Sequence, residues 1–188
     1  LLAWATDEEL TDTKLRYQFD KSKPFRSHHA QQIKLIDEPV LPVDGQYLGY
    51  PVFDGESVVL LVVNFTESAI HILRFLHQQE KTQEVVRLPL SAVKDCYNLI
   101  LHPSPLSLTR QPNDGTFEII WPEQIRFAIS SRETLNFRDR DKLYFSIWYE
   151  DPDYREETLV RSAQDGTILE RFSGDIRIMP NRERWLIK

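Results

Sequence analysis

Four of the six glycines in this 188-residue chain directly follow an aspartate, at Asp44-Gly45, Asp54-Gly55, Asp114-Gly115 and Asp165-Gly166. Asp-Gly supplies the positive φ angles that a tight hairpin turn requires, so these pairs predict short connections between antiparallel neighbours. Parallel strands need crossovers of a dozen or more residues, and only the stretch around Ser91–Tyr97 offers room for one. Between the turns lie short runs of β-branched and aromatic residues bounded by Gly, Pro, Asn and Asp, which is the pattern of strands. The chain is therefore expected to be mainly β.

The pattern places strands near Leu15–Phe19, Gln32–Ile36, Gln46–Phe53, Ser57–Phe65, Ser68–Leu76, Gln83–Leu88 and Asn98–His102. Further strands are expected near Phe117–Trp121, Ile125–Ser130, Lys142–Tyr149, Thr158–Arg161, Thr167–Phe172, Asp175–Met179 and Arg184–Ile187. In Lys142–Tyr149 the apolar set Leu143, Phe145, Ile147 and Tyr149 alternates with Lys142, Tyr144, Ser146 and Trp148, giving one core face and one mixed face. Ser57–Phe65 is apolar on both faces and reads as a strand covered twice. Burial is expected for Val58, Leu60, Val62, Leu143, Phe145, Ile147 and Ile176. Thr6 and Glu9 have the spacing of a capping box, which predicts a short helix over 7–14. Long loops are expected over 20–31, with His28 and His29, and over 102–114, with three prolines.

These features assemble into a single β-rich domain spanning 1–188, an antiparallel β-sandwich or barrel with a short N-terminal helix. A small β-propeller-like meander is the alternative. Propeller blades recur at about 40 residues, whereas the Asp-Gly pairs fall 10, 60 and 51 residues apart. At 22.2 kDa the chain is large enough to build its own core without staples, and the lone Cys96 cannot form an internal disulfide.

With 23 basic and 29 acidic residues the net charge is −6, divided equally between the two halves. Such a surface has no long-range attraction for nucleic acid or anionic lipid. The longest apolar run, Val58–Val63, is far too short to cross a bilayer, so no membrane partner is expected. Asp7, Glu8 and Glu9 interrupt the opening segment, leaving no signal-peptide core, and a soluble, cytoplasmic protein is favoured.

No Gly-x-Gly-x-x-Gly, Walker A, Gly-x-Ser-x-Gly or His-Glu-x-x-His pattern occurs. No Cys and His cluster has zinc-ligand spacing, so neither a metal nor a cofactor is expected. His71 and His77 have no partner visible in sequence, and Asn64-Phe65-Thr66 fits a glycosylation triplet inside a buried-looking run. The densest carboxylate cluster is Glu150, Asp151, Asp153, Glu156 and Glu157 around Pro152, which reads as a solvated hairpin loop.

The residues that stand out are aromatic and guanidinium side chains: Trp121, Tyr144, Trp148 and Tyr154 with Arg138 and Arg140. Trp, Tyr and Arg are enriched where proteins bind one another. The chain is accordingly read as a non-catalytic binding or assembly module that uses this β-face against a protein partner or a second copy. One alternative is a barrel holding a small apolar ligand, and another is a hydrolase using the acidic loop over 150–157.

Overall fold

The computed structural model describes residues 45–55, 57–76, 81–179 and 183–187. The helix expected over 7–14, the loop over 20–31 and the strands near Leu15–Phe19 and Gln32–Ile36 lie outside the described residues. Among the described residues the one helical element is a short 3-10 turn, Leu90–Ala92, and every sheet whose register is defined is antiparallel. The chain forms two compact units that meet in sequence between Leu108 and Thr109.

The first unit carries β1 (Gln46–Leu48), β2 (Val52–Asp54), β3 (Ser57–Asn64), β4 (Ala69–Leu76) and β5 (Lys81–Pro89), arranged β1-β3-β4-β5 with β2 also on β3. β1 and β2 share one edge of β3, where a single strand over Gln46–Phe53 was expected. Pro51 explains the break, since Gly49 still continues the pairing with β3. Gly49 donates its N–H to the Leu61 carbonyl at 2.8 Å, and Pro51 has no N–H to give to a ladder. Val59–Asn64 of β3 are all buried, on both faces, as the double apolar pattern requires. Val58 is half-buried. Asn64 is also buried, and its Oδ1 accepts the Glu67 N–H at 2.9 Å, which assigns this side chain to turn building.

β6 (Leu99–His102) follows, and the unit boundary falls inside β7 (Ser107–Arg110). β7 corrects the long loop expected over 102–114. Its four residues are buried, and the prolines at 103, 105 and 112 flank the strand, where proline is tolerated, instead of interrupting it.

The second unit continues with β8 (Thr116–Trp121), β9 (Ile125–Ala128), β10 (Glu133–Asp139), β11 (Lys142–Tyr149), β12 (Arg155–Ser162), β13 (Ile168–Ser173), β14 (Asp175–Ile178) and β15 (Arg184–Ile187). β10 to β13 form a four-stranded sheet in chain order, and β14 and β15 form a separate hairpin. Gly115 and Gly166 take the positive φ angles expected of Asp-Gly turns.

β11 buries both faces. Leu143, Phe145 and Ile147 join Leu159 of β12, Phe117 and Ile119 of β8 and the half-buried Ile125 and Phe127 of β9 in one core. On the opposite face Tyr144, Phe137 and Val160 form a second core, closed by Phe172 and by Ile176 of β14. The sheet is thus a middle layer between β8–β9 and β14–β15. It does not close into a barrel, since β10 and β13 remain its two edges. Closure is unnecessary because separate sheets cover the two faces.

Thr158 ties the third layer to the second. Fully buried on β12, its hydroxyl donates to the Gly174 carbonyl at 2.9 Å and accepts the Ile176 N–H at 3.0 Å. Thr158→Val keeps the shape and strands both backbone groups, an expected cost of about 1–3 kcal/mol. Urea unfolding would read this as a lower midpoint at unchanged slope.

Candidate functional site

Five of the six aromatic and arginine residues singled out in the sequence are divided between the two ends of β11, and the sixth, Trp121, lies on β8. Tyr144 and Arg138 lie at its start: Arg138 pairs in register with Leu143, and Tyr144 with Phe137. Tyr144 is only 9 % exposed, and its ring stacks on Phe137 with centroids 4.4 Å apart. Alternation put Tyr144 on the face opposite Phe145, and β14 covers that face, so this ring serves a core and presents no contact surface. Arg138 is also committed. Its Nη1 and Nη2 donate to the Glu123 carboxylate at 2.8 Å each, and its Nε donates to the Arg140 carbonyl at 2.7 Å. That hydrogen-bonded pair holds the Glu123 carboxyl below its usual range and raises Arg138 above its own. Arg140 is exposed in the β10–β11 turn at φ 55°, and Trp121 is half-buried at the end of β8.

Trp148 and Tyr154 stand at the other end, where β11 turns into β12. Trp148 is five positions along the strand from Leu143, about 17 Å at 3.3–3.4 Å per residue. Trp148 is 42 % exposed and Tyr154 68 % exposed. Glu156, which the sequence reading assigned to a solvated loop, joins them. It lies directly across the ladder from Trp148 and accepts the Tyr154 hydroxyl. The hydrogen bond to this carboxylate is the chief reason the Tyr154 phenol titrates above its ordinary value. Arg177 of β14 borders the same surface, ion-paired with the buried Asp175. Asn136 Nδ2 fixes that carboxylate from β10 with a 2.7 Å hydrogen bond.

On the reverse face of the hairpin the Arg155 guanidinium sits 4.1 Å from the Tyr149 ring centroid, and that of Arg132 sits 5.5 Å away. The remaining acidic residues do not converge. Glu150, Asp151 and Asp153 are exposed, while Glu157 faces Arg155 and Arg171. Among the described residues no three His, Cys, Asp or Glu side chains are grouped so as to hold a metal ion. No helix among them is long and apolar enough to cross a membrane.

Of the surface as observed, Trp148 and Tyr154 were legible from residue type. Glu156 and Arg177 were not, because they join it only through the β11–β12 register and the return of β14 over the sheet. Comparison with family models, with curated proteins and with solved structures gave no match.

Proposed function

We propose that the chain is a non-catalytic binding or assembly module whose contact surface is the exposed Trp148–Tyr154 end of the β11–β12 hairpin. The observation that carries this reading is the exposure of two large aromatic side chains linked through Glu156, which lies across the ladder from Trp148 and accepts the Tyr154 hydroxyl. Such rings favour burial against a partner, each offering about 150–250 Å² in total. The rest of β11 is engaged in two cores, so this end supplies the free aromatic surface of the strand.

The second unit supports a propeller-type arrangement in preference to a sandwich. Its antiparallel sheets follow one another in chain order, each packed face to face on the next, and propellers stack their sheets in this way. The first unit, taken alone, carries a five-stranded antiparallel sheet in which β3, β4 and β5 follow one another as a meander. Scaffolds of this kind present hairpin ends and loops as contact surfaces on rigid sheets.

Trp148→Ala is expected to keep the fold, at a cost of about 1–3 kcal/mol for the covered part of the ring, and to lose association. The measurement is recovery of associated protein from an extract of the source cells by tagged wild-type and variant chains, with circular dichroism confirming the fold. Arg171→Ala, on β13, is the control. Equal recovery by wild type and folded Trp148→Ala would remove this surface as the interface.

A further inference from the structure

The reading of the Trp148–Tyr154 surface as a contact site can be taken one step further, to the chemistry of what it contacts. Its rim is acidic: Glu150, Asp151 and Asp153 are exposed in the hairpin loop, and Glu156 lies across the ladder from Trp148 and accepts the Tyr154 hydroxyl. Over Glu150–Glu157 there are five carboxylates and one arginine, and Arg155 is drawn to the opposite face over Tyr149. Arg177, on the β14 side, is ion-paired with Asp175 and also interacts electrostatically with Glu156. A phosphate or carboxylate ligand would meet like charge here, and a plain apolar ligand would leave the carboxylates unused. A cation satisfies both halves, because the faces of Trp and Tyr attract cations through the ring quadrupole. The hairpin already displays that affinity on its reverse side, where Tyr149 has two guanidinium groups over its ring.

We propose that this surface receives a lysine or arginine side chain of an extended basic segment of a partner protein. The cation lies against the Trp148 and Tyr154 rings and faces the Glu156 carboxylate. Glu156 is well suited to the task, since the Tyr154 hydroxyl fixes one of its oxygens and thereby orients both groups before the ligand arrives.

The test is fluorescence anisotropy with labelled hexalysine and hexa-arginine as probes, hexaglutamate as the control peptide, and the full chain as receptor. Binding of both basic peptides is expected, weakening as salt rises, with no binding of hexaglutamate. Trp148→Ala should weaken it about tenfold or more, and Glu156→Gln about fivefold. Glu170→Gln removes the same charge from an exposed site that pairs with Lys142 and should change affinity less than twofold. Equal losses in Glu156→Gln and Glu170→Gln would reduce the effect to general attraction by an acidic protein and overturn the proposal, as would unchanged binding by Trp148→Ala. If the basic peptides do not bind while Trp148→Ala still loses its partners from extract, the contact surface stands and the cationic partner falls. If neither changes, both readings fall.

Discussion

Arg161→Ala is expected to lower the stability of the protein by about 3–5 kcal/mol, the usual consequence of removing one member of a buried ion pair. The Arg161 guanidinium meets Glu133 in a bidentate pair, Nε to Oε2 at 2.8 Å and Nη2 to Oε1 at 2.9 Å. Glu133 is 3 % exposed in its side chain. The carboxylate also accepts the Ser130 N–H at 2.8 Å, and Arg161 Nη1 donates to the Gly166 carbonyl at 2.7 Å. One interaction therefore clamps the start of β10, the end of β12 and the β12–β13 turn. With alanine at 161, the carboxylate would stay buried without its counter-charge. Thermal unfolding should show a midpoint lower by roughly 6–20 °C, from about 2–4 °C per kcal/mol for a chain of this size. Replacing both partners with leucine should recover much of the loss, because the penalty lies in the orphaned charge. A double variant as unstable as the single one would show that the pair contributes more than the neutralisation of its own burial.

Gly166→Ala is the second substitution with a large expected cost, about 2–5 kcal/mol. Gly166 has φ +73°, in the region that costs an L residue roughly 1–2 kcal/mol. A methyl group there would also collide with the Phe127 ring, adding an overpacking cost of typically 1–3 kcal/mol. Gly55 separates the two contributions. Its φ is +66°, and a Cβ would meet nothing within 4 Å, so Gly55→Ala should carry the backbone cost alone. Chemical denaturation of the two variants checks this, and equal losses would show that Phe127 moves aside freely.

That Phe127 contact also shows why the layering was only partly legible in the sequence. Asp165-Gly166 announces a turn, and a turn it is, but nothing near it in sequence says that β9 packs against its glycine. The Asp-Gly pairs also fall at no fixed place within the sheets. Asp54-Gly55 joins β2 to β3, Asp114-Gly115 joins β7 to β8, and Asp165-Gly166 joins β12 to β13. They mark turns at different places in successive sheets, so their spacing carries no period.

Strand faces were read well where apolar residues alternate, as in Leu143, Phe145 and Ile147, all buried. They were read less well where polar residues are buried through partners. β10 was missed because Glu133-Thr134-Leu135-Asn136 has the composition of a loop; Glu133 is nevertheless buried by Arg161, and Asn136 engages Asp175. The mixed face of β11 was expected to look outward or into a second layer, with Tyr144 and Trp148 partly exposed. In the structure Tyr144 is covered by an element more than 30 residues away in sequence, whereas Trp148 remains exposed.

The two cores on either side of β11 are filled by residues of opposite parity on the same strands. A single residue inserted in the middle of β11 would exchange the contents of the two layers downstream, sending Trp148 toward β8–β9 and Ile147 toward solvent. Ordinary one-faced sheets lose one core to such a slip; here both would be lost together. Length variation in this unit is thus confined to its turns, and the β11–β12 loop, which carries Tyr154 and the acidic rim, is free to change its reach without disturbing either core.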